Sequence, residues 1–150
     1  MPPPPALVRW IVWFALASSL GIYFAMLELG LIQTAEKPAD GLALPLTVAG
    51  LALALVSVSI RFFVANRRDG DGRRTVPPPW IFAAFIAALA LGEAVGVFGF
   101  ALGLLGHGTK QTLPLFLASL GAMLSNNPAW FFPKTDEETP GNRTYRPDRS

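Results

Sequence analysis

The 150 residues are 52% hydrophobic and only 15% charged, with a mean hydropathy of +0.44. A soluble domain carries about 25% charged residues, so the deficit points to lipid. The absence of cysteine excludes disulfides, thiolate metal sites and cysteine nucleophiles, and a lone histidine, His107, leaves little from which to build a metal site.

The charges are segregated. None falls between Trp10 and Leu27, Leu42 and Ile60, Trp80 and Gly92, or Gln111 and Pro133. A helix needs roughly 18 or more apolar residues to cross a bilayer core about 30 Å thick. These runs predict an all-α, four-helix transmembrane bundle over residues 1–132. The helices are expected at about 7–32, 42–64, 80–105 and 112–132.

The first helix follows the Pro2–Pro5 run, which cannot start a helix interior. Arg9 and Ala15-Leu16-Ala17 imitate a secretory signal, but the intervening apolar stretch is shorter than the usual 7–15 residues, and a retained helix is expected. Ser18 and Ser19 can donate to carbonyls one turn back and need no further role. Glu28 reads as an interfacial charge beside Lys37. In the second helix, Arg61 can snorkel to the headgroups. Pro77-Pro78-Pro79 precedes the third helix, where missing amide donors cost least. His107 and Lys110 fall in the next turn and read as solvated. Asn126-Asn127-Pro128 marks a kink or early end of the fourth helix. Residues 133–150 are polar, with Pro140, Gly141 and Pro147, and read as a disordered cytoplasmic tail.

Lysine and arginine fix the expected orientation. Arg9, Arg61, Arg67, Arg68, Arg73, Arg74, Lys134, Arg143, Arg146 and Arg149 fall on one side, and only Lys37 and Lys110 on the other. The positive-inside rule places both termini in the cytoplasm. Trp10, Trp13, Trp80 and Trp130 lie near that same boundary, as interfacial anchors should. These basic residues are topology signals, and no nucleic-acid partner is expected.

The chain also resembles itself. Ser18 to Tyr23 overlays Glu93 to Phe98 at an offset of 75, and Leu44-Pro45-Leu46 overlays Leu113-Pro114-Leu115 at 69. Phe62-Phe63 overlays Phe131-Phe132 at the same 69. Two duplicated helical hairpins, running in the same direction, would give this pattern. Chance similarity between two Leu/Ala-rich helix pairs is the alternative.

Glu93 is the residue that invites chemistry. It lies about 20 Å along the third helix from Trp80, in the middle third of a bilayer. An ionised carboxylate there costs at least about 2.5–3.5 kcal/mol, so the protonated acid is the cheaper state. Ala84, Ala88, Gly92, Gly96, Gly99 and Gly103 form a small-residue ridge beside it, which lets another helix approach closely. Proton binding at Glu93 is one reading. The other is a packing device, hydrogen-bonded to Ser57, Ser59 or a backbone carbonyl.

The segment Ala90-Leu91-Gly92-Glu93-Ala94-Val95-Gly96-Val97-Phe98-Gly99-Phe100 resembles the ion-binding helix of the rotary ATPase proteolipid, subunit c. That helix reads small-Glu-Ala-x-small-aliphatic-aromatic-Gly around its carboxylate. The Arg67–Arg74 loop before it matches the family's hairpin layout, and Ser18 in place of a first-copy Glu is similar to the vacuolar-type duplicated proteolipids. The Arg-Gln-Pro loop signature is absent, and Gly50, Ala52 and Ala54 are a thin counterpart of the family's glycine run. The resemblance implies a multi-pass, proton-binding component that assembles as a homo-oligomer or within a larger membrane complex. An accessory membrane subunit without transport activity is the alternative. No paired carboxylate or nucleophile–base arrangement suggests catalysis, and no cofactor is implied. The Ala, Gly, Pro and Arg bias suits a GC-rich bacterium, hence its cytoplasmic membrane.

Overall fold

The computed structural model describes residues 6–65 and 80–132. They form α1 (Ala6–Glu28), α2 (Asp40–Ala65), α3 (Ile81–Leu104), α4 (Thr109–Ser125) and the single turn α5 (Pro128–Phe131), with no strand among them. α1, α2 and α3 are each long and apolar enough to cross a membrane, the mark of a multi-pass membrane protein. α4 has 17 residues and falls short of that length by itself. The expected tail at 133–150 and the Arg67–Arg74 loop lie outside the described residues.

Two predicted helix ends move. α1 stops at Glu28, four residues before the expected Ile32. Gly30 takes φ +62°, and the amides of Gly30 and Leu31 bond back to the carbonyls of Leu27 and Met26. This is a Schellman cap, which needs a residue tolerant of left-handed backbone. α3 ends the same way. Gly106 has φ +83°, and the amides of Gly106 and His107 return to Gly103 and Leu102. The predicted fourth helix, 112–132, begins earlier and breaks in two. Pro128 has no amide hydrogen to continue the ladder, and Asn127 instead caps α5, its side chain accepting from the Trp130 amide at 3.1 Å.

α3 is apolar all round and packs against α1, α2 and α4. Phe85, Ala88, Leu89, Val95 and Leu102 are fully buried there, whereas α1 buries only Leu20. The outward faces are strongly apolar. Leu44, Val48, Leu51 and Leu55 make one exposed stripe on α2; Leu113, Leu117, Leu120 and Leu124 make another on α4. Such stripes in water would be an aggregation hazard, but they suit hydrocarbon.

These stripes match residue for residue at an offset of 69. The buried positions do too: Gly50 corresponds to Ser119, and Ser57 to Asn126. Pro45 and Pro114 each occupy the sixth position of their helix. Between α1 and α3 the packing register is itself near 75. Leu20 and Leu27 fill the notches at Gly96 and Gly103, and Tyr23 meets Phe100 with ring centroids 5.2 Å apart. Residues that overlay in sequence therefore sit side by side at the same level.

Candidate functional site around Glu93

Glu93 projects from α3 into its seam with α1 and is half-buried. Ser19 faces it, with its Oγ 2.7 Å from Glu93 Oε1 and also 2.7 Å from the carbonyl of Leu16. Among the described residues Ser19 is the carboxyl's hydrogen-bond partner. The expected structural partners are engaged elsewhere. Ser57 donates to the Ala88 carbonyl at 2.7 Å, and Ser59 to that of Leu55 at 2.7 Å. Position in the fold explains the difference. Ser57 lies on the α2 side of α3, whereas Glu93 turns toward α1.

The small residues along α3 lie against three helices. Ala84 is half-buried, while Ala88, Gly92, Gly96, Gly99 and Gly103 are buried. A side chain at Gly92 would meet Ala122 and Ser57 at 3.5 Å; one at Gly99 would meet Leu115 at 3.2 Å and Phe116 at 3.3 Å. Gly96 and Gly103 instead receive α1, with Leu27 Cδ1 2.5 Å from a Cβ built at Gly103. The close approach exposes α3 carbonyls to hydroxyls across the interface. Ser119 donates to the Gly92 carbonyl at 2.6 Å, one turn from the Ala88 carbonyl that Ser57 serves. Each carbonyl has two lone pairs and accepts this second bond alongside its helical one. Glu93 thus sits on a helix whose neighbouring turns are fastened on the opposite side.

Toward the opposite end from the arginines, Tyr23 and Phe100 cover the seam, followed by Leu27 in the Gly103 notch. At that end the segment 29–39 folds over the end of α3, where the amides of Ala35 and Ala39 bond to the carbonyls of Leu104 and Leu105. This cover buries His107, which is only 5% exposed and not solvated as expected. Its Nδ1 lies 2.6 Å from Gln111 Oε1 and its Nε2 3.3 Å from the Ala39 carbonyl. Glu28 is exposed, as expected, but its partner is Thr109, which donates to Oε1 at 2.8 Å. A polar cavity of about 250 Å³ opens between Glu28, Thr34, His107, Thr109 and Thr112. No group of three or more metal-ligating side chains occurs among the described residues.

At the arginine end, Trp13 donates from Nε1 to the Met123 carbonyl at 2.8 Å. Trp10, Trp80 and Trp130 are exposed, and the Trp10 ring meets that of Trp13 edge-on at 5.7 Å. Arg9 stacks on Phe132 at 4.2 Å, and Arg61 lies 5.1 Å from the Phe62 and Trp130 rings. Arg61 does not simply snorkel outward: it donates from Nη1 to Ser125 Oγ at 2.9 Å. Ser119 and Asn126 are polar anchors. In the sequence Ser119 has no marked role and Asn126 reads only as part of a kink or early helix end, although each overlays an α2 position at the offset of 69.

No family model, curated protein or solved structure matches the chain.

Proposed function

We propose that this multi-pass membrane protein binds a proton at Glu93, in the α1–α3 seam. The observation that carries the reading is the doubled contact of Ser19. Its oxygen is equally close, at 2.7 Å, to Glu93 Oε1 and to the Leu16 carbonyl. A serine has one hydroxyl hydrogen, and an ionised carboxylate can only accept. Both contacts are satisfied together when the carboxyl carries a proton and donates it to Ser19 Oγ, while Ser19 donates to Leu16. Loss of the proton forces Ser19 to choose one acceptor. Protonation is thereby coupled to the hydrogen bond that backs α1 onto α3.

In this reading α4 and α5 together make a fourth crossing, with the kink at Pro128 near the headgroups. Both termini and the bundle's arginine end then face the cytoplasm. A half-buried carboxyl at mid-span suits a component that works beside another helix, from a second copy or from a larger complex, rather than a complete transporter. Carbodiimide labelling of the protein in liposomes tests the proposal. Glu93 should be modified at neutral pH, and the Glu93→Gln protein should not be labelled at that position. An unmodified Glu93 under conditions that label exposed Glu28 counts against it.

The Ser19 bond also favours a second reading, in which Glu93 only fastens α1 to α3. Glutamine keeps the shape and can donate to Ser19 in the same way. Under that reading Glu93→Gln preserves both assembly and any proton-linked activity; normal assembly with lost proton coupling separates the two.

A further inference from the structure

The arginine end of the bundle contains a polar cluster unrelated to Glu93. Asn126 is wholly buried there, at 0% exposure, in the last turn before the α4–α5 break. Its Nδ2 donates to Ser57 Oγ at 2.8 Å, and Ser57 donates its own hydrogen to the Ala88 carbonyl. This order fixes the amide's orientation. Ser57 has spent its hydrogen, so its oxygen can only accept, and the nitrogen of Asn126 must face it.

Two atoms are left over. Asn126 Oδ1 and Arg61 Nε are sealed from solvent, and neither has a hydrogen-bond partner among the described residues. One is purely an acceptor and the other purely a donor. They belong to the same cluster. Ser57 and Arg61 are four residues apart on one face of α2, and their respective partners, Asn126 and Ser125, are consecutive at the C-terminal end of α4. Buried polar groups are rarely left unpaired, because each forfeits its hydration without return.

The chemistry of the pair selects its ligand. An anion would be repelled by the amide oxygen, and a cation by the guanidinium. The occupant must accept from one group, donate to the other and fit a closed interior. We propose that a single water molecule resides between Arg61 and Asn126, accepting from Nε–H and donating to Oδ1. The bridge completes a chain that runs from the Ala88 carbonyl through Ser57, Asn126 and water to Arg61, and on to Ser125. It holds the arginine within the bundle and ties α2 to the broken end of α4. Buried waters commonly serve otherwise unpaired groups in this way.

A structure of the full chain in lipid at about 2 Å resolution is the direct test. One solvent peak within hydrogen-bonding distance of both Arg61 Nε and Asn126 Oδ1 is expected. A direct bond between the two atoms, or an Arg61 whose Nε points to the headgroups, overturns the proposal. Thermal unfolding supplies a second measurement that needs no map. Asn126→Leu and Arg61→Met should each lower the midpoint by several degrees, and the double variant should lose clearly less than the sum, since each single change strands the other's partner. Additive losses overturn the bridge.

Discussion

The α1–α3 crossing rests on Gly96, and replacing it with alanine gives a sharp test of how the bundle closes. A Cβ at Gly96 would collide with Leu20 Cδ2 and come within 3.0 Å of Ser119 Oγ. Neither neighbour yields freely. Ser119 is fully buried and held by its bond to the Gly92 carbonyl at 2.6 Å, and Leu20 is the one buried residue of α1. Overpacking of this kind costs about 1–3 kcal/mol. Alanine recovers up to about 1 kcal/mol through its better helix propensity. With the full offset the net loss is about 0–2 kcal/mol, or up to about 8 °C in melting midpoint for a chain of this size. Gly92→Ala is the control on the same ridge. Its Cβ would meet Ala122 and Ser57 at 3.5 Å and Met123 at 3.7 Å, all ordinary contacts, so stability should hold or rise slightly. Tryptophan fluorescence during heating in detergent reads both, because Trp13 is bonded to the Met123 carbonyl across the α1–α4 contact. Leu20→Val, which removes the colliding Cδ2, should cost less in the Gly96→Ala background than in the parent. A Gly96→Ala protein at least as stable as the Gly92→Ala protein would refute the assigned packing.

Gly106→Ala should destabilise more than Gly30→Ala, by differential scanning calorimetry. Both positions have positive φ, which costs a side chain about 1–2 kcal/mol, but only at Gly106 would the Cβ also meet a backbone atom, the Ala35 oxygen at 2.5 Å. Ser19→Ala removes the partner of Glu93, and should cost about 1 kcal/mol in chemical unfolding while changing the rate of carbodiimide modification at Glu93; an unchanged rate would detach Ser19 from the carboxyl. Asn127→Ala loses the cap on α5, worth about 0.5–2 kcal/mol; faster amide exchange at Trp130, the capped residue, is the expected signature.

The ends of α2 and α3 were legible in the sequence to within two residues, because uninterrupted apolar runs leave little freedom over where a helix must be. The end of α1 was not. Leu29, Leu31 and Ile32 continue the apolar pattern past the cap, and hydropathy has no view of a glycine turning left-handed at position 30. The proline signal at Pro128 was read correctly as a kink or an end; which of the two depends on Asn127, whose side chain restarts a turn after the break. His107 was misjudged for a tertiary reason. Its own neighbours are Gly106 and Gly108, and only the segment 29–39 folding across α3 removes it from water. At Glu93 the sequence supplied the carboxyl, its mid-helix place and the glycines beside it. The partner was missed because which neighbour it faces is set by helix rotation, and a difference of one residue, about 100°, decides between α1 and α2.

The correspondence between the two helix pairs sharpens what is unusual about the polar positions. Where the surface faces lipid, the pairs agree closely: Leu44 with Leu113, Val48 with Leu117, Leu51 with Leu120, Leu55 with Leu124. Three departures lie at packed positions: Gly50 corresponds to Ser119, Ser57 to Asn126 and Ser18 to Glu93, and in these three the later pair carries the larger polar group. Two of these three reach back to the earlier pair for a partner, Asn126 to Ser57 and Glu93 to Ser19, while Ser119 instead secures α3 to α4. A symmetric arrangement would have placed two carboxyls, or two amides, against each other at one level of the bundle. Having a small hydroxyl on one side and the larger polar group on the other gives Asn126 Nδ2 and Glu93 each a complement, Ser57 and Ser19, in the space a helix interface allows. The asymmetry also leaves a single carboxyl, Glu93, at that level of the described α1–α3 seam, with the Ser19 hydroxyl as its complement.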